Sequence, residues 1–349
     1  MGGFALRFAV IGSNFIADWF VAAAEACEGL TLHTAYSRTH EQAALNAQKW
    51  GFHSASHDLD ALALDPEIDA VYIASPNACH FDQVKRMLLG GKHVLCEKPL
   101  VPSASEFETL LTLAQSRDLL LLEAMRPAHL PGIPTIKEHL PLLGTLRYAE
   151  FPYAQYSSRY QKFCQGIVEN AFDPTFAGGA LLDIGIYCIH WMAMLFGEPD
   201  SIRSAAAFLD YSIDINGMAI CEYGSMQAVA RYSKAHYSDS PAVIEGENGC
   251  LTLSPFPIPQ EMKLYIKGKD PVTLALDTGQ QDMRYEIQRF IEMAAHPLNA
   301  ADYQTVTLQT LRITDKIRAQ NDIDFQKKKR NETQTSFSGS ALLNSHTSR

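Results

Sequence analysis

Apolar positions in the first 125 residues follow two alternating patterns. Short, nearly continuous apolar runs at Leu6–Ile11, Leu30–Tyr36, Ala70–Ala74, His93–Cys96 and Leu119–Glu123 predict buried strands. Helical stretches lie between them: Ile16–Ala26, Thr39–Trp50, Asp58–Leu64, Phe81–Leu89, and a segment capped by Ser103 that runs to Ser116. Thr39 offers an N-cap hydroxyl, and Gly90-Gly91 offers a C-cap. Strand and helix in alternation predict a parallel sheet covered by helices.

Beyond this the pattern changes. Pro127, Pro131, Pro134 and Pro141 punctuate an irregular or helical stretch, and Gly144-Thr145 opens a strand-like run, Leu146–Tyr153. Residues 202–275 hold several period-2 stretches, such as Ser225–Tyr232 and Cys250–Leu253, separated by Gly, Asn and Pro. They predict an antiparallel or mixed sheet. Gln281–Ala295 and Gln304–Ala319 predict helices. The expected organisation is an α/β domain over 1–125 and an α+β domain over 126–325. The last helix is expected to return toward the first domain. Gln326–Arg349 begins with KKKR, holds eight Ser/Thr and little apolar surface, and predicts a disordered tail.

The chain has 349 residues, 47% hydrophobic and 19% charged, a globular composition with room for about two domains. A net charge of −10 argues against a nucleic-acid or anionic-membrane partner, which selects a basic face. Seven cysteines show no zinc spacing, so no metal site is expected, and the thiols are read as reduced and cytoplasmic. The N-terminus lacks the order of a signal peptide, and the apolar stretch Ile184–Phe196 is shorter than the ~20 residues that span a bilayer.

Four places carry candidate chemistry. Gly12-Ser13-Asn14-Phe15-Ile16-Ala17 stands between a strand and a helix, where amides at a helix N-terminus meet a dinucleotide pyrophosphate. Asn14 replaces the second glycine of the G-x-G-x-x-G/A pattern, a position Asn tolerates because it visits left-handed backbone readily. At the end of the next strand, Tyr36-Ser37-Arg38-Thr39 has no carboxylate for a ribose 2′-hydroxyl. Its guanidinium suits a 2′-phosphate instead, which points to NADP, with NAD a further possibility. Cys96-Glu97-Lys98-Pro99 ends a strand at the crevice side of the sheet. Asp183, Tyr187 and His190 follow i, i+4, i+7 and are expected on one helix face, an acid, a phenol and an imidazole in an apolar setting.

Together the runs AVIGSNFIADWF, DPEIDAVYIASPNACHF, GKHVLCEKPL and GGALLDIGIYCIHWMAMLFG resemble the Gfo/Idh/MocA oxidoreductase family over roughly residues 5–325. The resemblance implies an N-terminal Rossmann domain, a doubly wound parallel sheet. It also implies a C-terminal domain with a large, open, mostly antiparallel sheet that joins homodimers or homotetramers. Gly12, Ser13, Asn14, Phe15 and Ile16 then fall on the pyrophosphate loop, and Ser37 and Arg38 on the adenosine ribose. Ser75, Pro76, Asn77 and His80 fall beside the nicotinamide, as do Glu97 and Lys98. Lys98, Asp183 and Tyr187 are the implied catalytic set. Tyr187 stands where the inositol dehydrogenases carry His, which places this chain nearer the glucose-fructose oxidoreductase and dihydrodiol dehydrogenase branch. Tyr156, Arg159 and His190 are expected to line the substrate pocket.

The reading is an NADP(H)-dependent oxidoreductase acting on a hydroxyl or carbonyl carbon of a sugar, polyol or diol, with Tyr187 as proton carrier and Lys98 as its electrostatic partner. Burial is expected to lower the Lys98 pKa, and Asp183 to bind a substrate hydroxyl or orient Lys98. The alternatives are a cofactor-retaining NAD(P)-dependent glycosidase and a non-catalytic NADP-binding sensor, which has no use for a proton donor.

Overall fold

The computed structural model describes residues 5–209, 212–277, 279 and 282–325, so the expected tail lies outside the described residues. Six strands build the first sheet: β1 (Leu6–Ile11), β2 (Leu30–Tyr36), β3 (Ser54–Ser56), β4 (Ala70–Ile73), β5 (His93–Glu97) and β6 (Leu121–Ala124). All pairs are parallel, in the order β3-β2-β1-β4-β5-β6. This is the Rossmann order, whose direction reverses between β1 and β4 and opens a crevice at their carboxyl ends. The short helices α1 (Phe15–Ala24), α2 (His40–Trp50), α3 (Leu59–Leu64), α4 (His80–Leu89) and α5 (Ala104–Gln115) cover it. Coverage on both faces explains why β4 is wholly buried and apolar. The sequence reading names no strand at Ser54–Ser56, because three residues with two serines carry no apolar signal.

The second sheet has eight strands: β7 (Leu146–Ala154), β8 (Ser201–Phe208), β9 (Asp214–Tyr223), β10 (Met226–Ser233), β11 (Ala242–Gly246), β12 (Gly249–Ser254), β13 (Glu261–Ile266) and β14 (Val272–Ala275). The order is β14-β13-β12-β11-β7-β10-β9-β8, antiparallel except for β7 beside β10. Period-2 patterning sorts its faces: on β9, Ala219 and Cys221 face the core, whereas Met218 and Ile220 are exposed. Helices α6 (Ile133–His139), α7 (Tyr160–Cys164) and α8 (Ile186–Phe196) follow in this half. Helix α8 lies in the core, with every residue from Ile186 to Ala193 buried, so it is apolar on all sides. The stretch Pro174–Phe196 is long and apolar enough to cross a membrane, and 78% of its apolar window is buried inside this fold.

The last helices, α9 (Met283–Ala294) and α10 (Ala301–Asn321), join the two sheets. Phe290 of α9 meets Phe8 of β1 with ring centroids 5.5 Å apart, in the same core as Phe20 and Tyr72. Leu311 of α10 belongs to the core on the other face of the first sheet, while Ile313 and Ile317 join the core of the second. The boundary at 125/126 therefore cuts the chain but not the packing, and α9 belongs to the core of the first domain. Phe290→Ala is expected to destabilise the protein by about 3–5 kcal/mol, measured by urea unfolding. A loss under about 1 kcal/mol would show that α9 rests on the first domain without completing it.

Candidate active site

At the end of β1, Gly12 has φ +142° and a backbone so close to β4 that an added Cβ would lie 2.8 Å from the Ala74 carbonyl oxygen. Only glycine suits this position. Asn14 is not left-handed as expected: its φ is −98°. It is the N-cap of α1, with Oδ1 accepting from Ala17 N (3.1 Å) and Nδ2 donating to Ala74 O (3.0 Å). Asn therefore replaces glycine here through a capping bond. Ser13 and Phe15 are exposed at the α1 N-terminus, with Ile16 partly buried behind them. Ser13 Oγ lies 3.2 Å from Ser37 Oγ and accepts from Asn46 Nδ2 (2.9 Å), which ties the loop to the end of β2. Arg38 follows, exposed. Close backbone approach, a capped helix N-terminus and a cation beside the ribose position fit a dinucleotide carrying a 2′-phosphate.

The β4 loop is built for support. Ser75 Oγ donates to Gln83 (2.6 Å), exposed Pro76 follows it, and Asn77 Nδ2 crosses to Ala177 O of the second domain (3.2 Å). His80 is fully buried, with its ring nitrogens 2.9 Å from Pro99 O and 2.8 Å from Ser75 O. Burial lowers its pKa, opposed by these carbonyls. His80 thus joins the Ser75 loop to the turn after β5.

That turn carries Lys98. Glu97 Oε1 accepts from the Tyr72 hydroxyl (2.6 Å), and Oε2 accepts from Lys98 N (3.3 Å), so Glu97 braces the turn from inside. Lys98 Nζ crosses the cleft and donates to the Asp183 carbonyl (2.6 Å) and to Asp183 Oδ1 (3.2 Å). It also lies 4.9 Å from the centroid of the Tyr187 ring, a cation–π contact. Burial opposes the ammonium, but Tyr187, Asp183 and Glu97 outweigh it and hold the Lys98 pKa above the ordinary lysine range. This reverses the expected direction, because the lysine is buried together with its countercharges.

Asp183 sits in a widened π turn, Leu181–Gly185, that leads into α8; such turns often mark functional sites. Gly179 precedes it with φ +109°, and an added Cβ there would lie 2.6 Å from Asp214 Oδ1. Asp183 Oδ2 accepts from Lys234 Nζ. Burial would raise the Asp183 pKa, but Lys234 and Lys98 hold it well below the usual carboxylate range. Tyr187 is 6% exposed and packs edge-on against Tyr153, centroids 5.7 Å apart. Arg126, in the turn after β6, pairs with Asp282 at 3.1 Å, and Tyr187 and Asp282 favour its charged form against burial.

His190 does not join them. Three residues past Tyr187 it is rotated by about 60° and one turn further along α8; it lies buried with Nδ1 3.3 Å from Thr310 Oγ1 of α10. Burial drives its pKa down to about 3. Tyr156 is exposed against Tyr160, and Arg159 pairs with Glu169 at 3.4 Å; neither contacts the Lys98 cluster. Three site residues escaped the sequence reading. Arg126 follows a parallel strand at its carboxyl end, a signal that could have found it. Asn46 and Lys234 carry no local signal: one is an ordinary helix residue, the other a single lysine after an alternating strand.

Residues 6–124 match the family described as "Oxidoreductase family, NAD-binding Rossmann fold", and residues 142–252 match the GFO/IDH/MocA C-terminal domain. The chain is 36% identical over 325 residues to scyllo-inositol 2-dehydrogenase (NADP(+)) IolU of Bacillus subtilis, covering 92% of this chain and 98% of that one. It is 27% identical to mouse trans-1,2-dihydrobenzene-1,2-diol dehydrogenase over 74% of this chain and 77% of that one. Among solved structures, the 3-ketoreductase KijD10 of Actinomadura kijaniata, in complex with NADP and TDP-benzene, has the same fold: TM-score 0.79, 22% identity, covering 91% of this chain and 98% of that one. The chain belongs to the Gfo/Idh/MocA oxidoreductase family.

Proposed function

We propose that this protein is an NADP(H)-dependent oxidoreductase that interconverts a hydroxyl and a carbonyl on a sugar, polyol or diol. The observation that carries the reading is the buried phenol of Tyr187 under the Lys98 ammonium, at the carboxyl end of the Rossmann sheet. A proton donor beside a fixed cation serves acid–base chemistry and has no purpose in a sensor. The similarity to an NADP(+)-dependent inositol dehydrogenase supports the substrate class.

Gly12, Ser13, Asn14, Phe15 and Ile16 receive the pyrophosphate, and Ser37 and Arg38 the 2′-phosphate. When bound, the nicotinamide accepts or supplies the hydride. The residues of this chain handle the proton. Tyr187 takes the proton from the substrate hydroxyl during oxidation and returns it to the oxygen during reduction. Lys98 favours the ionised phenol and donates to the substrate oxygen as its charge develops. Asp183, engaged by two lysines, orients Lys98. The exposed face of the second sheet, with Met218 and Ile220, serves a homodimer or homotetramer, and the enzyme works in the cytoplasm without nucleic-acid or membrane partners.

Two outcomes test this reading. A charge-assisted contact to the 2′-phosphate contributes about 1.5–3 kcal/mol, so NADPH binds about 10-fold or more tighter than NADH. Arg38→Ala erases most of that preference in a fluorescence titration; equal affinities in the unaltered protein would remove Arg38 from the phosphate. With scyllo-inositol and a panel of sugars and diols, Tyr187→Phe lowers kcat by about 10²–10⁴-fold and leaves NADPH affinity within a few-fold. Near-normal kcat in Tyr187→Phe, with Lys98→Met inactive, would move the proton role to Lys98.

A further inference from the structure

Resting on the reading of Tyr187 as proton carrier, we propose that Lys234 is a positioning residue for the reaction: by engaging Asp183 it leaves the charge of Lys98 uncancelled for Tyr187 and the substrate oxygen. The Lys234 side chain is 4% exposed, against 41% for Asp183, so the lysine lies behind the carboxylate, away from the cleft. Its Nζ donates to Asp183 Oδ2 and to Ala171 O (3.1 Å), and it lies 4.6 Å from the centroid of the Phe172 ring. A buried ammonium is costly unless countered. Here the counter-charge is the carboxylate that also holds Lys98.

Asp183 divides its oxygens: Oδ1 faces Lys98, and Oδ2 faces Lys234. Without Lys234, one whole negative charge would oppose one ammonium, and the pair would present little net field to the phenol. With Lys234 present, two cations share that carboxylate. The surplus positive charge favours the ionised phenol and the developing alkoxide.

Other charges face the same phenol. Arg126 adds a cation, paired with Asp282; burial and Glu97 push the carboxyl of the nearby buried Glu286 well above its usual range, toward its uncharged form. Tyr153 contributes a phenol that burial pushes up to about 12. On β6, burial pushes Glu123 up to about 7. Beside Lys234, at the start of β9, Asp214 accepts from Leu181 N (2.8 Å), and burial pushes it up to about 7. These groups set the background; removing Lys234 subtracts one positive charge from it whatever their state.

The test is the pH dependence of kcat/KM for substrate oxidation in the full-length protein, with NADPH binding as a check of folding. Lys234→Met moves the rising limb to higher pH by about 1 unit, lowers kcat/KM at pH 7 by about 10-fold, and leaves NADPH affinity within a few-fold. Lys234→Arg restores the charge and returns the midpoint to within about 0.3 unit of the original. If Lys234→Met does not fold, Lys234→Gln is measured instead, with the same expected shift. An unchanged midpoint in the neutral variant, with Tyr187→Phe inactive, overturns the role of Lys234 and leaves the proposed function standing. A shift of equal size in Asp214→Asn assigns the titration to Asp214 and also overturns it. Full activity in Tyr187→Phe would instead remove the reading on which the inference rests.

Discussion

The ion pair between Lys98 and Asp183 is the interaction on which the site depends, because it joins two independently built sheets across the cleft. Lys98 leaves the end of β5, and Asp183 sits in the π turn before α8. The Lys98 ammonium is the buried member, its side chain 15% exposed, and without the carboxylate it would be left poorly countered in the interior. The pair therefore links domain arrangement to chemistry. When the ammonium reaches Asp183, it also reaches the face of Tyr187.

The surrounding structure keeps the lysine turn rigid. Glu97 is held by Tyr72, Leu100 N donates to Glu123 (3.0 Å), and His80 spans from Pro99 to Ser75. Thr307 of α10 donates to the other oxygen of Glu123 (3.1 Å), so the connecting helix braces the same turn. Rigid support of this kind is what positions a catalytic group to within a fraction of an ångström. It accounts for polar side chains that lie deep in the protein and touch no part of the cleft.

The alternating apolar runs made the Rossmann half legible, because strands buried on both faces must read as continuous hydrophobic segments. Period-2 stretches likewise revealed the second sheet, although not that β7 would pair in parallel with β10. Gly12, Lys98, Asp183 and Tyr187 stood in recognisable local patterns. At Asn14 the sequence pointed to a left-handed backbone, whereas the structure shows a capping bond and a negative φ. His190 misled because its helical spacing from Tyr187 suggested a shared site, whereas the residue packs against Thr310 of α10. Lys234 was invisible because its partner lies 51 positions away, and no local pattern encodes a contact made by the fold.

The central claim is that Lys98 and Tyr187 act as one unit, and a double-mutant cycle on kcat/KM measures this most directly. Lys98→Met, Tyr187→Phe and the double variant are compared with the unaltered enzyme on one substrate. If the ammonium acts largely through the phenol, Lys98→Met costs far less in the Tyr187→Phe background than in the unaltered enzyme, the remainder being its direct bond to the substrate oxygen. Losses that multiply would contradict the account, because the two groups would then contribute independently.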